Sequence, residues 1–486
     1  MNSVRRATVG VLVAATVAGA ALAGSTTAAA DSAIDWQPCA DNPAVQCATL
    51  PVPIDWAAPD GGGIDLAVAR LPATDQANKV GTLVFMPGGP GGSGVRELID
   101  GPLLPAAVTA RFDVVSYDPR GTNLSNPAMC DSDILATQPN LIPEAGGTLQ
   151  DSLDYGKKLG DSCRANTGPL VDHMDNVSVA HDIDAFRAAL GEEQVSLYGI
   201  SYGTLAGQMY AENYPDRIRA MVLDSVFDHS LDTRDFLVTE AATAEDSFAE
   251  FVKWCAGDTT CVLHDQGVTQ VWEDLYTRAV NGQLHFPGDP DQPLTAFSLN
   301  SILINKFYGP DWPGAAELLK SLKEQESTAT AQVAGEPAAF PLGAMCNDFR
   351  VDIRSERQWL KLWRAQNAAA PSMRTHFAWR ALSVCAGWPA ETPNPQHELD
   401  VDGAPPILLM NSLHDPATGY EWAENVSSQL DDSVLLTYDG WGHGVIDRSD
   451  CTANAGSAYL IDGVLPEPGT HCAAVPPQPE RTATYW

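Results

Sequence analysis

Val195-Ser-Leu-Tyr-Gly-Ile-Ser-Tyr-Gly-Thr204 is a short apolar run that meets a Gly-x-Ser-x-Gly cluster and passes into Leu205-Ala-Gly-Gln-Met-Tyr-Ala211. The pattern predicts strand, sharp turn, helix. A turn this tight has room only for glycine on either side of the central residue, which accounts for Gly199 and Gly203. Ser201 is expected at the carboxyl edge of a sheet, above a helix N-terminus. The backbone N–H of Tyr202 would then supply half of an oxyanion hole. A Gly/Ser turn in any α/β protein can match such a cluster by chance, so the flanking sequence has to decide.

Upstream, Val45 to Trp56 and Ile64 to Leu71 are short β-type segments separated by Asp60-Gly-Gly-Gly63, and they predict an opening hairpin. Gly81-Thr-Leu-Val-Phe-Met86 has the composition of a buried strand and runs into Pro87-Gly-Gly-Pro-Gly-Gly-Ser-Gly94. Glycines after a strand let backbone approach a ligand closely. A phosphate loop would end in Gly-Lys-Ser/Thr, which is missing here. The expectation is an oxyanion loop, with the Gly89 N–H as donor and Gly88 as the nearby alternative. Phe112 to Tyr117 predicts another strand, followed by Asp118-Pro-Arg-Gly-Thr-Asn123, in which Asp118 and Arg120 are expected to pair as a structural brace. A Pro- and Gly-containing excursion follows to about Leu170. Val179, Ile183, Phe186 and Leu190 give residues 176–190 helical periodicity, and Arg217 to Ser225 forms the strand after the elbow.

Strands alternating with helices predict a mostly parallel sheet wound on both faces. From about Leu231 to Trp388 the pattern becomes helical, broken by a loop at Pro287 to Pro293, and reads as a cap inserted over the site. Sheet chemistry then resumes. Pro405 to Ser412 is a strand leading to Asp415, and Ser433 to Tyr438 is a strand leading to Gly442-His443. The divisions expected are 1–30 signal peptide, 31–230 first part of the core, 231–388 helical cap and 389–486 second part of the core.

The leader reading rests on Arg5 and Arg6, an apolar run from Val9 to Ala23, and Ala-x-Ala sites ending at Ala23 or Ala30. No other stretch is long and apolar enough to span a bilayer, so no membrane partner is expected after signal removal. With 62 acidic against 28 basic residues and a formal charge of −34, nucleic acid is excluded as a partner. The ten cysteines suit an oxidising compartment and fall as sequence neighbours. Spacing admits other connectivities, but the expected pairs are Cys39 with Cys47, Cys130 with Cys163, Cys255 with Cys261, Cys346 with Cys385, and Cys451 with Cys472. No C-x-x-C or H-E-x-x-H spacing occurs, and neither a metal nor a cofactor is called for.

Ser201, Asp415 and His443 follow the chain order nucleophile, acid, base. A serine hydroxyl is a weak nucleophile near neutral pH and needs a base in reach. His443 would take and return its proton, and Asp415 would hold the imidazole tautomer and stabilise the imidazolium. His414 is read as a rim or structural residue, and Asp439 as a weaker rival to Asp415. Thr418 is read either as a partner of Asp415 or as the cap of a helix over 419–430.

Pro87-Gly-Gly-Pro-Gly-Gly92, Tyr117-Asp-Pro-Arg-Gly121, Gly199-Ile-Ser-Tyr-Gly-Thr204, Ala344-Met-Cys-Asn-Asp348, Asp415-Pro-Ala-Thr418 and Gly442-His443 together resemble the secreted actinobacterial tripeptidyl aminopeptidases and proline iminopeptidase-like enzymes of the α/β-hydrolase fold. The resemblance implies a serine exopeptidase that removes short peptides, tripeptides by expectation, from the free N-termini of peptides or proteins. Such an enzyme needs an anion for the substrate ammonium, and the Cys-x-Asp match makes Asp348, ahead of a strand-like Phe349 to Asp352, the candidate. Pro87 stands where proline iminopeptidases carry His, which argues against strict single-proline specificity. A carboxylesterase or lipase using the same triad, with an apolar acyl pocket, is the alternative. A non-catalytic binding protein of the same fold is the third reading, opposed by the intact triad.

Overall fold

Runs of apolar residues without polar alternation require a sheet covered on both faces. The computed structural model describes residues 34–101, 104–286, 289–324 and 338–477, and builds such a sheet. The signal peptide expected at 1–30 lies outside the described residues. Ten strands take part: β1 (Gln37–Pro38), β2 (Gln46–Pro53), β3 (Gly63–Leu71), β4 (Gly81–Met86), β5 (Phe112–Tyr117), β6 (Val195–Ile200), β7 (Ile218–Asp224), β8 (Ile407–His414), β9 (Ser433–Trp441) and β10 (His471–Cys472). Their order is β1-β2-β3-β5-β4-β6-β7-β8-β9-β10. The predicted hairpin is the antiparallel pair β2/β3, joined antiparallel to β5, and from β5 to β10 every neighbour is parallel.

The alternation of side chains along each strand explains the apolar runs. Val84, Met86, Leu197 and Leu409 enter the core on one face, while Leu83, Phe85, Tyr198 and Leu408 enter that on the other. Because β4, β6, β8 and β9 are parallel, their following loops gather at one edge. That edge receives Gly88, Ser201, Asp415 and His443, the usual location of a site in an open α/β sheet.

Between β7 and β8 lie helices Thr233–Gly257, Val268–Val280, Ala296–Tyr308, Trp312–Lys323, Gly343–Asp348, Glu356–Ala369 and Phe377–Cys385. The longest starts at Asp232, whose side chain accepts from the Arg234 and Asp235 amides, and it buries Phe236, Phe248 and Phe251 on its inner stripe. All five neighbour pairs of cysteines are bonded: Cys39–Cys47, Cys130–Cys163, Cys255–Cys261, Cys346–Cys385 and Cys451–Cys472. No helix among the described residues is long and apolar enough to cross a membrane.

Several local expectations are corrected. The excursion before Leu170 contains a 19-residue helix, Leu149–Thr167, capped by Thr148 and closed against Met129–Cys130 by the Cys130–Cys163 bond. Its apolar stripe, with Leu149, Tyr155 and Leu159 buried, was obscured by Gly156 and Gly160, which pass close to Val384 and Pro389. Phe349 to Asp352 forms no strand, whereas Asp289–Pro293 pairs with His285–Phe286 where a loop was expected. Asp118 and Arg120 do not pair. Asp118 accepts from Ser93 Oγ, Val95 N and Leu124 N, while Arg120 forms a bidentate ion pair with Asp182 and donates to the Ile54, Pro53 and His173 carbonyls. Both remain structural braces, each for a different loop.

Candidate active site

Strand β6 ends at Ile200, and Ser201 adopts φ 58°, a left-handed conformation that a non-glycine residue holds only under constraint. The constraint is visible in its neighbours. A Cβ on Gly203 would stand 2.3 Å from the Met86 carbonyl oxygen, and one on Gly199 would stand 2.8 Å from the Gly203 oxygen. The Gly-x-Ser-x-Gly reading of the turn is thus required by space. Helix Gly203–Asn213 begins directly beneath the serine.

The glycine-rich loop closes on the same point. A Cβ on Gly88 would lie 2.9 Å from Ser201 Cβ, so only glycine lets the loop lie across the nucleophile. Among the described residues, neither the Gly89 nor the Tyr202 amide donates to a protein acceptor. Both amides adjoin residues packed at Ser201, as an oxyanion pair requires.

Two loops are tied to one dipeptide, Asp224-Ser225. Ser201 N donates to the Asp224 carbonyl at 3.0 Å, and Gly444 N donates to Ser225 Oγ at 2.7 Å. The buried Asp224 carboxylate accepts from Val445 N, Ile446 N and the Tyr198 hydroxyl. Burial pushes its pKa up to about 6. These bonds position the His443 loop beside the elbow.

His443 Nδ1 lies 2.9 and 3.0 Å from the two carboxylate oxygens of Asp415, and both side chains are fully buried. Asp415 Oδ1 also accepts from the Ala417 and Thr418 amides, and Thr418 Oγ1 donates to Oδ2 at 3.2 Å while standing 3.5 Å from His443 Nδ1. Thr418 therefore serves Asp415, and the helix Tyr420–Gln429 starts from Gly419 with no side-chain cap. The rivals are placed elsewhere: Asp439 pairs with His471, and His414 pairs with Asp246 at the rim. An imidazole fixed in this way can take a proton on its far nitrogen and hold the resulting charge.

Asp348 is corrected. It is fully buried, and each carboxylate oxygen accepts two bonds: Asn176 N and Asn394 Nδ2 on one, Asn176 Nδ2 and the Tyr202 hydroxyl on the other. With its lone pairs filled it has no capacity for an ammonium. Burial, with Asp175 nearby, pushes its pKa up to about 7. Its place is behind Tyr202.

Sequence reasoning missed the groups that the helical segment brings. The Tyr308 carbonyl accepts from His443 N at 2.9 Å, and its ring meets the imidazole edge-on at 4.8 Å. His376 Nε2 donates to the Pro416 carbonyl at 3.0 Å, and its Nδ1 accepts from Phe377 N. This tautomer is neutral, because burial lowers the His376 pKa to about 4. A cavity of about 350 Å³ opens between these helices and the glycine-rich loop, lined by Pro90, Phe297, Tyr308, Phe340, His376 and Arg380 among others. No sequence signal marked His376 or Arg380, since neither is near the elbow in the chain.

Residues 370–472 match the model of the TAP-like protein family. The serine protease Hip1 of Mycobacterium tuberculosis is 31% identical to the chain, over 90% of it and 91% of the relative. The chain belongs to the TAP-like family of serine hydrolases. Other relatives are a tripeptidyl aminopeptidase of Streptomyces coelicolor, 28% identical over 94% of the chain and 88% of the relative, and carboxylesterase B of Mycobacterium tuberculosis, 29% identical over 88% and 86%. Membership fits the elbow and the Asp415–His443 pair, and the α/β-hydrolase sheet is the family's expected scaffold. TAP-like relatives carry both peptidase and esterase names, so the family leaves the acyl donor to be argued from the site.

Proposed function

We propose that this TAP-like hydrolase is an exported serine exopeptidase that releases short peptides, tripeptides by preference, from free N-termini. Ser201 attacks the scissile carbonyl, His443 takes its proton and returns it to the leaving amine, and Asp415 holds the imidazolium. The Gly89 and Tyr202 amides receive the oxyanion, and water then resolves the acyl-enzyme. The observation that carries the reading is the two-pronged contact of buried Asp415 with His443, in a loop tied through Asp224-Ser225 to the strained Ser201. The peptidase and tripeptidyl aminopeptidase relatives support the peptide substrate. Five disulfides support export.

One observation favours a second reading. No acidic side chain is among the described residues lining the cavity, so the substrate ammonium has no counter-charge there, and an ester with an apolar acyl group fits as well. A tripeptidyl p-nitroanilide with a free amine and its N-acetyl twin separate the two. The exopeptidase reading expects turnover that Ser201→Ala reduces about 10,000-fold or more and that collapses on acetylation. Inert peptides beside Ser201-dependent cleavage of a short p-nitrophenyl ester would establish the esterase.

A further inference from the structure

The cavity between the glycine-rich loop and the helical segment is walled by aromatic and aliphatic side chains such as Phe297, Ile304, Phe340 and Leu342. Its lining includes Pro90, next to the proposed oxyanion donor Gly89, and Tyr308, whose ring lies against His443. Arg380, on helix Phe377–Cys385, is the one permanently charged side chain among its described lining residues. Its guanidinium carbon stands 5.9 Å from the Phe297 ring centroid, at the outer limit of a useful cation–π contact.

Among the described residues no carboxylate forms an ion pair with Arg380, and the Tyr155 hydroxyl is the sole ionisable group acting on it. Burial accordingly lowers its pKa from the ordinary guanidinium value, though an arginine stays charged throughout the accessible pH range. The contrast with Arg120 is direct. That buried guanidinium has a bidentate Asp182 and three backbone carbonyls. Desolvating a cation without a counter-charge is unfavourable, and a planar five-donor fork is matched by a carboxylate.

We propose that Arg380 binds a carboxylate of the substrate, making this cavity selective for acidic acyl donors or leaving groups. The inference rests on the cavity being the substrate cleft of a serine hydrolase, and it holds for a peptide or an ester. Two sources present this chemistry: an Asp or Glu side chain in the substrate, or the α-carboxylate of a short peptide. The strongly acidic chain repels anions at long range, so the selection acts by local pairing in a low-dielectric cleft.

The test measures kcat/KM for matched pairs: tripeptidyl p-nitroanilides with Glu or Gln at each position, tetrapeptides ending in carboxylate or carboxamide, and mono-p-nitrophenyl glutarate beside p-nitrophenyl pentanoate. Wild type is expected to favour the acidic member of at least one pair about tenfold or more. Preference in the Glu/Gln series names the side chain as the source, and preference in the tetrapeptides names the α-carboxylate. The ratio should fall to about one in Arg380→Met and be partly kept in Arg380→Lys, which retains a point charge without the fork. Glutarate and glutaramide binding to Ser201→Ala by calorimetry supplies a readout without turnover. Tighter glutarate binding that vanishes with Arg380→Met supports the site. Ratios near one in wild type for every pair turned over, or equal binding of the two probes, would overturn it. Ser201-dependent turnover of the uncharged members reports on the hydrolase reading separately, and the wild-type ratios need no variant to fold.

Discussion

The Tyr202 hydroxyl donates to the buried carboxylate of Asp348, a residue 146 positions further along the chain. Because the Tyr202 amide is the proposed oxyanion donor, Asp348 is expected to act on the chemistry through its hold on the elbow. Asp348→Asn and Tyr202→Phe are expected to lower kcat about tenfold with little change in KM, on free-amine and acetylated substrates alike. Tyr202→Phe should also destabilise the fold by about 1–2 kcal/mol, because the lost hydroxyl donor leaves the buried Asp348 acceptor short of a partner. An effect on KM confined to free-amine substrates would return Asp348 to the role of amine anchor.

Asp224 connects stability to pH. Burial pushes its pKa from 3.8 to about 6, despite the amides of Val445 and Ile446 and the Tyr198 hydroxyl. A raised folded-state pKa means that the folded chain holds a proton which the unfolded chain has already released. Stability from this group is full below pH 3.8 and is lost as pH rises to about 6. The stability gap between wild type and Asp224→Asn should therefore narrow from pH 4 to 6 and stay level above. Urea melts across that range check it, and a gap that widened would contradict the assignment.

Thr418 Oγ1 stands beside both Asp415 and His443. Thr418→Val keeps the shape and removes the donor, and should reduce kcat/KM about 10- to 100-fold with the fold intact. Thr418→Ser should retain most activity. Equal activity of the Val variant would reduce Thr418 to packing.

The Cys346–Cys385 bond joins the helix carrying Asp348 to the one carrying Arg380, across a sequence separation of 39. Replacing both cysteines by alanine is expected to cost about 4 kcal/mol by the loop-entropy relation and to lower activity as Asp348 loosens. Chemical denaturation with parallel rate measurements tests this. Unchanged stability would show that the two helices are held by packing alone.

Much of this molecule was legible because its determinants are local. An apolar run followed by Gly-x-Ser-x-Gly specifies strand, turn and helix within a few residues, since sterics at Gly199 and Gly203 admit no other side chain. The placement of Ser201, Asp415 and His443 just after strands was readable because each strand has its own apolar signature. The cysteine pairs were readable because each partner is near in sequence. Tertiary structure alone decided where burial and partners fall. Asp348 reads as an anchor for a substrate ammonium until Asn176, Tyr202 and Asn394 converge on it from three distant segments. Arg120 looks like the partner of Asp118 until Asp182 reaches it, and Arg380 has no meaning until its helix lines a cavity. The reason is physical: chain geometry sets a turn over a few bonds, whereas the charge and hydrogen-bonding state of a side chain depend on which remote groups share its desolvated space.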